Sequence, residues 1–419
     1  MGEPDDVVQA MVDNFDHHHP EFAQQDLPQR VYAEMRENCP VKWTGAQGGF
    51  WVTSKYRDID RVANDPQTFS SALGNLVPHG PDALPERERA ALLEGGRGSA
   101  PPVFYDPPLH SAYRRALNPL FTPKAVRVRE DYIRSVTDEL IDSFIDSGSC
   151  EIVGAFCAPV PAIVVLDWLG LPTNGWKQWS DAVLAQFENP GQSGPDSSKI
   201  DLPAVLAEVQ DRRKNPREDV LTALSQTEVD GARLSDRELL QIVAVIIFAG
   251  LDTTTNAVAS SLVELQRHPD LRAELAHTPI DDPLWGNAIE ELLRYVCPVQ
   301  GFRRTARAQA QVGDATINPG ERVFMLWASG NFDEDIFDDP TRLDLHRNNN
   351  RHMSFGRGIH RCLGAHLARL EMTVMLQQIL HRIPEYEIDE GALQLHPDVG
   401  LVYGFGSVPM RFRAPAAAK

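Results

Sequence analysis

Apolar residues recur at helical spacing over much of this chain and at strand spacing in a few short stretches. Residues 113–277 are dominated by helical patterns, and within them residues 241–266 have the length of one long helix. A further helix is predicted from Cys362 to Ile383, where leucine, valine and isoleucine repeat at helical intervals. By contrast, Phe50–Thr53 is an aromatic and β-branched run that is typical of a strand, and residues 310–323 have the pattern of a hairpin.

The pattern therefore predicts a mainly α fold with small β-sheets, of the α+β class. We expect a single domain over residues 1–419, because candidate functional residues are spread along the chain and must meet at one site. The two ends, residues 1–20 and 414–419, are expected to be flexible. Within the first of them, the run His17-His18-His19 is expected to be solvated and has no assigned role.

The composition narrows the class of protein. The chain has 419 residues, of which 42% are hydrophobic and 24% charged, as in ordinary globular proteins. Its formal net charge of -19 argues against nucleic acid or an anionic membrane as a partner, because both need a basic face. The five cysteines form no Cys-x-x-Cys pair, so neither a disulfide framework nor a zinc site is predicted. The first residues lack a positive signal region, and no apolar run approaches the roughly 20 residues of a membrane span, so we expect a cytoplasmic protein.

One cysteine, Cys362, lies in a glycine-rich stretch at the start of the predicted C-terminal helix. The start of a helix favours an anion, so this position suits a thiolate that binds a metal. A structural cysteine beside an ordinary glycine turn is the alternative for a lone residue. However, the order Phe-Gly-x-Gly-x-His-x-Cys-x-Gly over residues 355–364 resembles the haem-binding loop of the cytochrome P450 monooxygenases.

This resemblance implies a haem b cofactor, O2 as co-substrate and a fold in which an α-rich lobe and a smaller β-rich lobe enclose the haem. Cys362 is then the axial ligand of the haem iron, and Phe355, His360 and Gly364 bind the cofactor. The implied reaction inserts one oxygen atom of O2 into a C–H bond.

The middle of the predicted long helix reads Ala249-Gly250-Leu251-Asp252-Thr253. Acids and threonines also occur within ordinary helices, so this segment alone leaves both interpretations open. Beside the cysteine loop it resembles the oxygen-activating part of the same family. The resemblance implies that Ala249 leaves room beside the haem and that Asp252 and Thr253 deliver protons.

Glu291 and Arg294 are three residues apart and share one face of a predicted helix. They resemble the family's structural Glu-x-x-Arg pair, although Glu290 with Arg294 is a competing pairing. The third member of this arrangement would come from the loop around residues 331–333, where Phe332 stands in place of the family's arginine.

The two haem propionates need donors, since a buried carboxylate is costly without them. By resemblance, His110 and Arg114 come from the segment that begins Asp-Pro-Pro at residue 106, and Arg304 and His360 complete the set. Arg303 is the alternative to Arg304.

The substrate is expected to be small and mostly hydrophobic, such as a terpenoid, a steroid or an aromatic compound. The predicted pocket residues are mostly apolar: Val245, Phe248, Ala249, Val299, Gln300, Phe302, Leu401 and Val402. Gln300 or Tyr403 would offer one hydrogen bond. Arg97 is the alternative, and it would instead receive a carboxylate.

The electrons are expected to come from a separate iron–sulfur ferredoxin and its reductase, so that NAD(P)H is used indirectly. A monomer is expected. The cations that flank the cysteine side are a candidate docking patch for an acidic ferredoxin: Arg115, Lys124, Arg127, Arg129, Arg357, Arg361 and Arg369. A haem-thiolate peroxygenase and a haem-binding ligand sensor are the competing functions. The intact Asp252-Thr253 pair argues against both.

Overall fold

The computed structural model describes residues 4–74, 86–96, 98, 100–188 and 201–414. The described helices are α1 (Pro4–Asp13), α2 (Leu27–Asn38), α3 (Tyr56–Ala63), α4 (Glu86–Gly95), α5 (Leu109–Leu117), α6 (Pro123–Arg127), α7 (Glu130–Phe144), α8 (Pro159–Leu169), α9 (Trp176–Glu188), α10 (Leu202–Lys214), α11 (Val220–Gln226), α12 (Asp236–Arg267), α13 (Pro269–His277), α14 (Leu284–Val296), α15 (Trp327–Gly330) and α16 (Ala365–Arg382).

The described strands are short: β1 (Val41–Thr44), β2 (Phe50–Thr53), β3 (Phe69–Ser70), β4 (Ser149–Glu151), β5 (Glu228–Val229), β6 (Ala232–Arg233), β7 (Phe302–Ala306), β8 (Ala310–Val312), β9 (Ala315–Ile317), β10 (Arg322–Met325), β11 (Tyr386–Ile388), β12 (Gln394–Leu395), β13 (Phe405–Ser407) and β14 (Pro409–Phe412). Helices dominate and the sheets are small, which confirms the predicted α+β class.

The long helix α12 is the centre of the helical part of the molecule. It begins with a capping box, in which the Ser235 hydroxyl accepts from the Glu238 N–H while the Glu238 carboxylate accepts from the Ser235 N–H. By length and composition α12 could cross a membrane, whereas the sequence analysis predicted no apolar run of that length. However, 61% of its most apolar stretch is buried inside the protein, as expected for a core helix.

The helix that follows the cysteine loop packs directly on α12. Thr254 of α12 donates a hydrogen bond to the buried carboxylate of Glu371 in α16, over 3.4 Å. Both helices contribute to one large apolar cluster, together with α7, α8 and α14. The cysteine loop is therefore held beside the middle of the central helix.

A second apolar cluster underlies the largest sheet, whose strand order is β1-β2-β10-β7-β3. β10 pairs with β2 in parallel and with β7 in antiparallel, so that Arg304 lies opposite Val323 and Arg303 opposite Phe324. Because successive side chains of a strand point to opposite faces, Arg303 and Arg304 lie on different sides of this sheet.

Residues 15–18, which precede α2, are packed against the protein rather than loose, contrary to our expectation for residues 1–20. Phe15 is fully buried, and the His17 ring stacks on Phe324 with 4.2 Å between ring centroids. His18 pairs with Asp398. The prediction of a solvated histidine run was therefore wrong for His17 and His18, because their partners come from distant parts of the chain.

The C-terminal helix starts later than predicted. Its first residue is Ala365, since Gly358–His360 form a separate 3-10 turn and the chain between them is irregular. Cys362 thus lies in the loop that leads into the helix and not in the helix itself.

Candidate active site

The loop around Cys362 has a backbone that requires glycine. Gly356 and Gly358 both adopt φ +67°, which side chains rarely tolerate. A Cβ on Gly358 would also lie 2.2 Å from the carbonyl oxygen of Ala63. The loop is closed by the Cys362 N–H, which donates to the Phe355 carbonyl over 2.8 Å. These contacts explain the glycine spacing and fix where the thiol is presented.

The thiol of Cys362 lies at the wall of an internal space. Its side chain is exposed, yet protein surrounds it closely enough that burial raises the pKa of the thiol. The Gly364 N–H and the charges of Arg114, Arg369 and Arg361 lower this pKa, but less strongly. A thiolate here needs a further positive partner, such as a bound metal ion.

Four side chains that the sequence analysis predicted as donors to the propionates come together near this thiol. They come from distant segments, and each is cationic or can become so by gaining a proton. The rings of His110 and His360 have centroids 4.2 Å apart. Arg304 and Arg114 interact electrostatically with both rings, and Arg114 with the Cys362 thiol. Among the described residues, none of the four forms an ion pair with a carboxylate.

Burial disfavours the charged forms of these groups, and neighbouring positive charges add to this for the two histidines. Burial, followed by the charges of Arg114 and Arg304, lowers the pKa of His110 to about 4. Burial, Arg304, His110 and Arg114 likewise lower the pKa of His360. Burial lowers the pKa of Arg304 to about 10, while Asp106 acts in the opposite direction.

The hydrogen bonding of the cluster is incomplete. Both ring nitrogens of His110 are buried and have no hydrogen-bond partner in the part of the chain that the structure describes. His360 Nε2 lies 3.1 Å from the Ser71 hydroxyl, and Arg304 donates to the Arg303 carbonyl over 2.7 Å. Buried polar groups are normally paired, so this cluster suits an anionic group with several acceptor oxygens.

The alternative residue Arg303 does not join the cluster. It is fully buried and donates to the Leu73 carbonyl over 2.8 Å. This follows from its position on the other face of β7, so the geometry favours Arg304 as the donor to an anionic group.

On the central helix, Ala249 is exposed while Ile247, Leu251 and Asp252 nearby are buried, so Ala249 faces open space. The hydroxyl of Thr253 donates to the Ala249 carbonyl over 2.8 Å. Gly250 has a different function, because a Cβ there would lie 2.9 Å from the Val165 side chain of α8. Gly250 therefore allows close packing against α8, and only Ala249 leaves room on the open side of the helix.

Asp252 lies on the buried side of the same helix. Its Oδ1 accepts from Asn256 Nδ2 over 2.9 Å, and its Oδ2 is buried without a partner. Burial raises the pKa of Asp252 from 3.8 to about 7, and the bond from Asn256 only partly opposes this rise. A cavity of about 130 Å³, lined in part by Asp252, Ser180 and His396, adjoins it. Asn256 was not identified from the sequence, although it is four residues from Asp252 and so on the same helix face.

The predicted pocket segments meet in the structure, and one of their polar side chains is already hydrogen-bonded there. Val299 and Val402 form a β-bridge, and the Gln300 N–H donates to the Leu401 carbonyl over 3.0 Å. The Gln300 side chain is only 2% exposed. Its Oε1 accepts from the Tyr32 hydroxyl over 3.1 Å and its Nε2 donates to the Cys297 carbonyl over 2.8 Å. Its amide is therefore already hydrogen-bonded within the protein.

Apart from Val402, the remaining pocket residues are partly accessible. Val245, Phe248 and Phe302 are half-buried, and Leu401 is half-buried while Val402 is buried. Arg97, the alternative receptor for a carboxylate, lies outside the described residues.

The Glu291–Arg294 pair forms as predicted. Both side chains are fully buried, and Arg294 donates to the two Glu291 oxygens over 2.8 Å each. The competing residue Glu290 pairs instead with Arg369 and His352. Sequence reasoning did not identify Arg347 and Asn350, which also donate to Glu291.

Phe332 does not disturb this arrangement. Its ring lies 5.3 Å from the Arg294 guanidinium carbon, within reach of a cation–π interaction. The Arg294 guanidinium also donates to the Asn331 carbonyl over 2.9 Å. The loop thus contacts the buried pair through an aromatic ring and a main-chain oxygen.

Comparisons with known proteins agree with this site. Residues 203–384 match the family model "Cytochrome P450". The steroid C26-monooxygenase of Mycobacterium tuberculosis (strain H37Rv) is 32% identical over 392 residues, which are 91% of this chain and 93% of that protein. Linalool 8-monooxygenase of Pseudomonas putida is 28% identical over 88% of this chain and 92% of that protein. The structure of cytochrome P450 CYP109Q5 from Chondromyces apiculatus superposes with a TM-score of 0.82 and 32% identity, covering 97% of this chain and all of that one (100%).

Proposed function

Because this chain belongs to the cytochrome P450 family of haem-thiolate monooxygenases, we propose that it inserts one atom of O2 into a C–H bond of a small, mostly hydrophobic molecule. The observation that carries the proposal is the Cys362 thiol, presented by a glycine-dependent loop beside a buried cluster of cationic side chains that have no carboxylate partner among the described residues.

The residues of the site fit haem. Cys362 would bind the iron as a thiolate, and the metal charge would overcome the rise in thiol pKa that burial causes. His110, Arg114, Arg304 and His360 would receive the two propionates, which supply the acceptors that the buried His110 nitrogens lack. When bound, haem supplies O2 binding and activation, with the thiolate favouring O–O cleavage.

Thr253 and Asp252 would deliver protons to the site. The Thr253 hydroxyl now donates to the Ala249 carbonyl, so one small rotation of its side chain would turn the same proton toward the internal space. Asp252, with a pKa of about 7, holds its proton in a large fraction of molecules near neutral pH. It can therefore both give and regain a proton under ordinary conditions.

The substrate is proposed to be a neutral terpenoid, steroid or aromatic compound. The accessible pocket residues are apolar, and the Gln300 amide is already bound within the protein. The names of two relatives, a steroid C26-monooxygenase and a linalool 8-monooxygenase, support the same range. Tyr403 remains a candidate donor.

A matched panel of neutral compounds and their carboxylic-acid analogues tests this substrate class. Binding that displaces water from the iron shifts the haem absorption, so each compound gives a spectral dissociation constant. We expect the neutral member of each pair to bind more tightly. Tighter binding of the acids would contradict the proposed class.

A separate ferredoxin and its reductase are proposed to supply the electrons, with NAD(P)H used indirectly. Of the proposed docking cations, three are engaged by acids: Arg129 with Asp167, Arg357 with Asp60 and Arg369 with Glu290. The other four are Arg115, Lys124, Arg127 and Arg361, and none of them forms an ion pair among the described residues.

These four cations would form the docking patch for an acidic ferredoxin. Val128, which is 78% exposed, lies among them and would give the patch an apolar contact. Added salt should slow ferredoxin-supported turnover, because it screens exposed charges. A rate that does not change with ionic strength would move the docking site elsewhere.

We also propose that the protein acts as a cytoplasmic monomer. Its negative net charge disfavours anionic membrane surfaces, and the most apolar part of α12 is mostly buried in the core.

The reduced carbon monoxide complex tests the central proposal. The wild-type protein should show the red-shifted band of a thiolate-bound ferrous haem, and Cys362→His should lose it. Cys157→Ser is a matched control, because Cys157 is buried elsewhere in the helical core. Absence of the band from the wild type, or its survival in Cys362→His, would contradict the assignment. Labelled O2 should then place one labelled atom in the product.

A further inference from the structure

The N-terminal histidine run makes a long-range contact that the proposed function leaves unexplained. His18 Nδ1 lies 2.8 and 2.9 Å from the two carboxylate oxygens of Asp398. The side chains of His18 and Asp398 are only 15% and 9% exposed. The neighbouring His19 is exposed, and its ring accepts from the nearby Glu21 N–H over 3.3 Å.

Asp398 also contacts the turn that follows it, so it links His18 to this turn. Its Oδ1 accepts from the buried Gly400 N–H over 2.9 Å. Gly400 also touches the histidine run directly, because a Cβ there would lie 2.6 Å from His18 Nδ1 and 2.7 Å from the His17 carbonyl oxygen. The histidine segment is therefore packed against the turn without space for even a methyl group.

On its other side, this turn is attached to the segment 298–300. The Gln300 N–H donates to the Leu401 carbonyl over 3.0 Å, and the Tyr403 N–H donates to the Pro298 carbonyl over 2.8 Å. Among the described residues, the two segments share a single β-bridge, between Val299 and Val402. A segment with so few backbone bonds depends on side-chain contacts for its position.

We propose that His18 is a positioning residue for substrate binding: its contact with Asp398 fixes the turn that carries Leu401 and Val402. This inference rests on the proposed function, in which those two residues form part of the pocket wall. The chain before α2 thereby contributes to specificity without touching the substrate. A large apolar ligand that reaches this wall should depend on His18, and a ligand that binds only at the iron should not.

Two azoles distinguish a ligand that reaches the pocket wall from one that binds only at the iron, both measured with the haem-bound protein. Imidazole binds the haem iron through its nitrogen and has no further group to reach the wall. Econazole binds through the same kind of ring and carries a large apolar body. His18→Ala should weaken econazole about tenfold, the loss expected for one charge-assisted hydrogen bond, and change imidazole less than about twofold.

Three further variants make the test specific. His19→Ala removes the neighbouring exposed ring and should leave both affinities unchanged. His18→Asn can place a donor near the position of Nδ1 and should recover most of the econazole affinity. Asp398→Ala removes both the His18 contact and the bond from the Gly400 N–H, so it should weaken econazole at least as much as His18→Ala, and the double variant should be no worse than Asp398→Ala. A purely structural function of His18 would instead reduce haem content or weaken both azoles equally.

Hydrogen exchange of the same holoenzymes gives a readout that needs no ligand. The amides of Gln300 and Tyr403, which bond across the turn, should exchange faster in His18→Ala and not in His19→Ala. Unchanged exchange together with unchanged econazole affinity would overturn the inference. Failure of the proposed function has a different signature, since wild-type protein would then lack the thiolate carbon monoxide band and spectral binding of imidazole.

Discussion

Replacing Asp252 by asparagine should make this enzyme more stable at alkaline pH and less active. The side chain is 5% exposed, and burial raises its pKa from 3.8 to about 7. Among the described residues, the side chain of Asp252 accepts one hydrogen bond, from Asn256 to Oδ1. Asparagine has nearly the same shape and retains an oxygen for this bond, but it cannot ionise.

The sign of the pH effect follows from the two pKa values. Between about pH 4 and pH 7 the unfolded chain has lost the Asp252 proton while the folded protein still holds it. The folded state therefore binds more protons in this window, and the free energy of unfolding falls as the pH rises. A difference of about 3 pKa units at roughly 1.4 kcal/mol each gives about 4 kcal/mol, lost in full above pH 7.

Urea unfolding of the holoenzyme, followed by tryptophan fluorescence from pH 5 to pH 8, measures this effect. The stability of Asp252→Asn minus that of the wild type should grow with pH and approach about 4 kcal/mol at pH 8. Asp281→Asn, which changes an exposed loop acid, should show no such growth. The reasoning fails if the difference is the same at pH 5 and pH 8. Product formation should fall in the stabilised variant, because asparagine cannot pass on the proton.

Three further predictions concern the same site. Thr253→Ala should keep haem and substrate binding but release more hydrogen peroxide per NAD(P)H consumed, with Thr253→Ser restoring coupling; equal product yield in all three proteins would contradict proton delivery by this hydroxyl. Glu291→Gln should lower the free energy of unfolding by about 3 kcal/mol, because it leaves the fully buried Arg294 charge without its charged partner. Urea unfolding measures this loss. Glu290→Gln changes a partly exposed site and should lower the free energy of unfolding by less. Arg304→Gln should speed haem transfer to apomyoglobin several-fold, and an unchanged rate would remove Arg304 from the propionate site.

The parts of the site that were predictable from the sequence are those set by local pattern. The spacing of glycines around Cys362 reflects backbone conformations that only glycine tolerates, and Glu291 with Arg294 share a helix face by spacing alone. The start of the C-terminal helix at Ala365 was not predictable, because apolar spacing does not show where an irregular loop ends.

The errors came from contacts between distant parts of the chain. Gln300 looked free to bind substrate, but its amide bonds to Tyr32, which is 268 residues away. His18 looked solvated, but its partner Asp398 is 380 residues away. In both cases the residue type allowed either state, and only the position of the partner decided between them.

Burial is unfavourable for two kinds of group in the site, the cationic side chains and the Asp252 carboxyl. A bound partner of opposite charge can offset this only for the first. Burial lowers the pKa values of His110 and Arg304, and for His110 the charges of Arg114 and Arg304 add to this effect. An anionic cofactor removes that cost, so haem binding and folding should be coupled. The cost at Asp252 has no such remedy, because a cation beside it would lower its pKa and leave it ionised near neutral pH. Its burial is the condition for holding a transferable proton, which is why stability and proton delivery should change in opposite directions there.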